Sequence, residues 1–171
     1  MSEDDPIARL ARRIAAARKT EHFQISAGSI AALRRRGACD LHSTCANFVI
    51  SVNSRLSPDV LVLSPPTYTP EMFRETGANL IQIGSEGRQM QISFQAPPQL
   101  ASTEKFLIPY VLEGEIRAYN QKMLEKFQMR TRLLFFCIEE DRAEWRFFDW
   151  RTRHTGLLGN ELLVSLMQQI F

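Results

Sequence analysis

Asp149, Arg151 and His154 stand close together in the chain, and as a group they can supply a carboxylate, an anion-binding guanidinium and an imidazole base. Tyr110 and Arg117 would add a phenol and a second cation if the segment carrying them crosses the same face of a sheet. A plainer use competes with that chemistry. Asp149 and Arg151 share one parity and can pair along a strand, and Glu113 and Arg117 have the i,i+4 spacing of an ordinary helix pair. Tyr110, Arg117, Asp149, Arg151 and His154 are therefore the ligand-binding candidates, and no catalytic role is assigned to any of them.

Other chemistry-bearing groups are weaker. Cys39, His42 and Cys45 recur every three residues, a set of soft ligands on neighbouring helical turns. Steps of three drift by about 60° around a helix, so the two thiols diverge, and no C-x-x-C pair completes the set. No metal is assigned. Glu139, Glu140, Asp141 and Glu144 fall between apolar runs, where carboxylates serve as solvated turn residues. No G-x-G-x-x-G, Walker loop, G-x-S-x-G elbow or H-E-x-x-H occurs, and Gly84 to Gly87 has the length of a hairpin turn, so no cofactor is expected and the balance tilts away from an enzyme.

The cations are unevenly placed. The chain of 171 residues carries a formal charge of +2, yet Arg9, Arg12, Arg13, Arg18, Lys19, Arg34, Arg35 and Arg36 face the single acid Glu21 between Arg9 and Arg36. Arg9, Arg12, Arg13, Arg34, Arg35 and Arg36 form a polyanion-binding stripe if the first two helices lie side by side. Aromatic residues are scarce there, Phe23 being the only one before Phe48, which leaves stacking on nucleobases little support.

These groups need elements to hold them. Ser2 to Asp5 followed by Pro6 makes a helix start, and Ile7, Leu10, Ala11, Ile14 and Ala17 give a helix to about Lys19 a thin apolar face. Ser26 or Ser29 caps a short second helix whose last turn, Arg34 to Arg36, precedes Gly37. Leu41, Cys45, Phe48, Val49, Val52 and Leu56 predict a helix over 40–56, and Val60 to Leu63 a short strand. Ile81, Ile83, Met90, Ile92 and Phe94 alternate with polar residues around Gly84 to Gly87, which is a hairpin with one wet face. Leu112, Ile116, Tyr119, Met123 and Phe127 have the spacing of a long helix starting near Thr103 or Pro109.

From Arg132 to Arg153 two apolar runs flank the turn Glu139 to Arg142, a hairpin apolar on both faces of its first strand. Leu162, Leu163, Leu166, Met167 and Ile170 form the stripe of a last helix capped by Asn160. The fold class is α+β, an antiparallel sheet of about five strands in the order α-β-β-β-α-β-β-α, preceded by one or two basic amphipathic helices. Residues 1–36 read as a basic helical extension and 37–171 as a single domain.

That order, over Asp40 to Phe171, is similar to the topology of bacterial secretion chaperones, a family of small dimeric cytosolic proteins that bind client segments. The similarity is one of element order, and the basic balance departs from the acidic character of that family. It implies a homodimer with a protein or peptide partner.

With 44% hydrophobic residues the chain can bury one core, and no apolar run reaches the length of about 20 residues that a membrane span needs. Three cysteines, Cys39, Cys45 and Cys137, without a basic, apolar leader point to a reducing cytoplasm. The expected function is thus a non-enzymatic cytoplasmic interaction module, adaptor-like or chaperone-like, that binds a protein or peptide partner as a homodimer. The apolar excess of the Arg132 to Arg153 hairpin motivates it. Nucleic-acid or polyanion binding through the N-terminal arginines is the alternative, and a small-ligand protein or enzyme with a site near Asp149 to His154 the second alternative.

Overall fold

A computed structural model of the chain describes residues 6–22, 27–98 and 108–171. The caps expected at Ser2 to Asp5 and at Ser26, and the helix start near Thr103, lie outside the described residues. The elements in order are α1 (Pro6–His22), α2 (Ala27–Asn53), β1 (Val62–Ser64), a 3-10 turn (Pro70–Met72), β2 (Asn79–Ser85), β3 (Arg88–Gln95), β4 (Tyr110–Asn120), α3 (Gln121–Glu125), β5 (Arg130–Glu139), β6 (Arg142–Asp149), β7 (His154–Leu157) and α4 (Asn160–Gln168). The fold is α+β with a single antiparallel sheet, as expected, but the sheet has seven strands, each paired with its neighbour in chain order.

The two extra strands have separate causes. The segment expected as a long helix is β4 followed by the short α3. Leu112 and Ile116 are four apart, which suits one helix face and one strand face equally. The residues between decide it: Gly114 and Ala118 share the parity of Leu112 and Ile116, while Glu113, Glu115, Arg117 and Tyr119 take the other. Phe127, placed on the inner stripe by the helical reading, is 89% exposed. The other addition, β7, carries few apolar residues and pairs with β6 from Asp149↔His154 to Arg146↔Leu157.

The β2–β3 hairpin matches its pattern: Ile81, Ile83, Met90, Ile92 and Phe94 are all buried, and Gly87 takes the positive φ of 69° that its tight turn requires. On β5, Leu134, Phe136 and Ile138 face the main core while Phe135 and Cys137 join Tyr110 and Phe148 in a smaller cluster on the opposite face. Both faces of that strand are buried within the chain itself, so the hairpin's apolar excess is not an open surface.

The two helices expected over 26–36 and 40–56 are one, α2, which runs unbroken through Arg36 and Gly37. Gly37 is there for contact rather than termination. A Cβ on it would come within 2.6 Å of the Phe136 ring, and its carbonyl accepts a hydrogen bond of 2.7 Å from the indole Nε1 of Trp145 on β6. Trp145 in turn packs edge-on to Phe94 and tilted against Phe136, with ring centroids 5.8 and 5.4 Å away. Further along α2, His42 Nε2 lies 2.8 Å from the Pro65 carbonyl oxygen, and buried Asn53 donates to the Leu61 carbonyl at 2.8 Å while accepting from the Leu61 amide at 3.0 Å. Leu162, Leu163, Leu166, Met167 and Ile170 bring α4 and its C-terminal flank into the same core as α2.

Gly37→Ala separates two effects of opposite sign. Helix propensity alone would stabilise the protein by about 1 kcal/mol. Overpacking against the fully buried Phe136 ring costs about 1–3 kcal/mol and outweighs it. Urea denaturation should therefore show the variant less stable than wild type; a gain in stability would mean that the helix does not seat on the sheet this closely.

Candidate functional site

The five ligand candidates do not converge. Tyr110 begins β4, with its ring 4.8 Å from that of Phe135 on the smaller apolar face; burial and the carboxylate of Glu113 push its phenol up. Arg117, near the other end of β4, pairs with Glu115 rather than Glu113, because strand geometry puts residues two apart on one side. Tyr110 and Arg151 line different cavities: Tyr110 borders a hollow of about 460 Å³ with Glu113, Glu115, Leu133 and Phe135, while Arg151 borders a separate one of about 490 Å³.

Asp149 ends β6, so the strand does not carry Arg151 onto the same side as the parity argument required. Instead the Arg151 amide donates to Asp149 Oδ1 at 2.9 Å, and Arg132 on β5 lies 3.3 Å from Asp149 Oδ2. Burial alone would push this carboxyl up, but the amides of Arg151 and Thr152, the Thr152 hydroxyl and the Arg132 guanidinium together hold it below its ordinary value. Asp149 thus organises the turn into β7. His154 is exposed, its ring 5.5 Å from that of Phe147.

The basic stripe is divided by Arg34, which is turned into the protein: its Nε donates to the Val111 carbonyl at 3.1 Å, one Nη to Pro97 at 3.0 Å and the other to Glu75 at 3.2 Å. Arg36 pairs with Asp40 one turn on at 3.5 Å, and Arg35 is exposed. Arg9, Arg12 and Arg13 are exposed on α1. Cys39, His42 and Cys45 serve packing. Cys45 is fully buried with its thiol pushed up to about 12 by burial, and His42 stacks on Tyr68 at 5.5 Å. Among the described residues no three His, Cys, Asp or Glu side chains come together as a metal site would require.

What the fold leaves open is apolar. On α1, Leu10 and Ile14 are 57% and 52% exposed, and Ile7 on the same face is exposed too, with Ala16 the one buried side chain described on this helix. A second apolar surface is a groove of about 320 Å³ between the end of α2 and α4, lined by Phe48, Val52, Leu56, Val60, Val164 and Phe171 among others, with Gln168 its only polar side chain. Leu56, Val60, Val164 and Phe171 are between 39% and 60% exposed there. Phe171 also carries a cation, since the Arg88 guanidinium lies over its ring at 4.5 Å from the centroid.

Sequence reasoning missed the groove because the helical spacing of Phe48, Val52 and Leu56 is the same for residues bound for a core and for an interface. Compared with models of protein families, with curated proteins and with solved structures, the chain matches none.

Asp149 provides a pH test of its structural role. A carboxyl held below its ordinary value of 3.8 adds stability that is fully present above about pH 4 and is lost as pH falls through the folded value. Asp149→Asn should be less stable than wild type at neutral pH, and the difference should close as acid unfolding is followed from about pH 5 to about pH 2. A difference that stays constant over that range would show that the charge contributes nothing.

Proposed function

We propose that the protein is an interaction module rather than an enzyme, a cytoplasmic homodimer that binds a protein or peptide partner. The observation that carries the reading is the pair of apolar surfaces on one chain: the Leu10 and Ile14 face of α1, and the groove between α2 and α4. A helix with apolar residues at i, i+3 and i+7, as Ile7, Leu10 and Ile14 are, is the shape that an apolar groove between helices accepts.

In this reading α1 of each copy lies in the groove of the other, a two-fold arrangement in which the same two surfaces meet twice. A client helix of the same pattern would compete for the groove. Cys39, Cys45 and Cys137 are free thiols, which favours a reducing compartment. Among the described residues no helix is long and apolar enough to cross a membrane.

Light scattering on the eluting full-length protein tests the reading. The expected mass is that of a dimer, and it should be insensitive to salt. Leu10→Glu and Val164→Glu, both at exposed helical positions where a charge leaves the fold intact, should each give a folded monomer. A monomeric wild type at concentrations of about 100 μM, or two variants that remain dimers, would remove the proposal.

A further inference from the structure

Of the hollows described above, the one of 490 Å³ beside Arg151 alone is lined by cations without an acid. Its lining carries Lys122, Lys126, Phe127, Arg130 and Arg151, from α3 and the turn after it, the start of β5 and the turn after β6, and the rest of it is uncharged. Four of these are cations and none is an acid. No carboxylate of the described residues forms an ion pair with Lys122, Lys126, Arg130 or Arg151. Glu125, the nearest acid in sequence, accepts a hydrogen bond of 3.3 Å from Gln121. Four like charges around one concavity repel one another and raise the local concentration of anions.

Phe127 adds a second requirement. It takes a left-handed φ of 53° where α3 ends, its amide donating to the Leu124 carbonyl at 3.1 Å, and its ring is 89% exposed. Glycine closes a helix in this conformation without strain, whereas a phenylalanine costs stability there and buries nothing in return. Phe127 lines the same hollow as the four cations, of which Arg151 also lies over the Trp150 ring at 5.1 Å.

From this juxtaposition we propose that the hollow binds a nucleoside phosphate, with its phosphates against Lys122, Lys126, Arg130 and Arg151 and its base against the Phe127 ring. Cations fix the phosphates, and an exposed aromatic face stacks any base, so the site reads the class of ligand rather than the identity of the base. A free nucleotide and a single strand present the same chemistry. The volume suits a small ligand, while the openness of the Phe127 ring leaves room for a chain to continue past it. The site shares no residue with the apolar groove, so this inference stands or falls apart from the interaction reading.

Titration calorimetry of the full chain with ATP, pyrophosphate and a thymidine oligonucleotide, each at low and moderate salt, tests it. ATP should bind, and the double variant Lys122→Gln/Arg130→Gln should weaken ATP and pyrophosphate alike by about tenfold. Phe127→Gly, which relieves the backbone and so folds at least as well, should weaken ATP by about fivefold or more and leave pyrophosphate unchanged. An oligonucleotide that binds more tightly than ATP, with log K falling against log salt by about 0.7 for each phosphate engaged, identifies a strand as the source. An oligonucleotide no tighter than ATP identifies the free nucleotide. Absence of binding by both, or affinities indifferent to the double variant, overturns the site. Phe127→Gly without effect on ATP overturns the nucleoside and leaves a plain anion hollow.

Discussion

The hydrogen bond from the Trp145 indole to the Gly37 carbonyl is the constraint from which the rest of the packing follows. It is buried, so either partner left alone would cost the desolvation of a polar group, about 1–3 kcal/mol. It forms only because residue 37 has no side chain and α2 can approach β5 and β6 closely enough for the Phe136 ring to fill the space. Arg34, His42 and Asn53 then bind α2 to the start of β4 at Val111 and to connecting segments at Pro97, Pro65 and Leu61. Every one of these contacts ends on a backbone carbonyl, so α2 fixes the path of the connecting segments as well as covering the sheet.

Fastening α2 in this way determines what remains accessible. With α2 and α4 on the main core face, Leu41, Cys45, Leu163 and Leu166 are fully buried. The remaining apolar side chains of the same helices cannot all turn inward, and Val52 and Val164, with Leu56 just past the end of α2, form the walls of the groove. On α1 the described side chains are exposed apart from Ala16, and its stability as an amphipathic helix in water is marginal without a surface to lie on. A chain with an exposed groove and an exposed amphipathic helix has an economical way to bury both, by meeting a second copy.

Much of the fold was legible where one period alone fitted. The β2–β3 hairpin, the β5–β6 hairpin with its turn at Glu140 and Asp141, and the stripe of α4 all appear as read. Failures came where two readings shared a spacing. Leu112 and Ile116 satisfy helix and strand together, and Gly37 could end a helix or admit a neighbour; only the tertiary partner, Phe136, decides between the uses of the glycine. Among the candidate residues, Arg34 and Asp149 are spent on structure, which residue type alone could not announce. The cations Lys122, Lys126 and Arg130 went unnoticed because they come together only once β4 turns through α3 into β5.

Mixing tests the central claim, reciprocal seating of α1 in the groove of a second copy, most directly. Leu10→Glu spoils the helix and keeps the groove; Val164→Glu spoils the groove and keeps the helix. Mixed, the two variants retain one intact seat, so light scattering should show a heterodimer that neither forms alone, weaker than the wild-type dimer. A mixture that stays monomeric while the wild type is a dimer would contradict the account and place the dimer interface elsewhere.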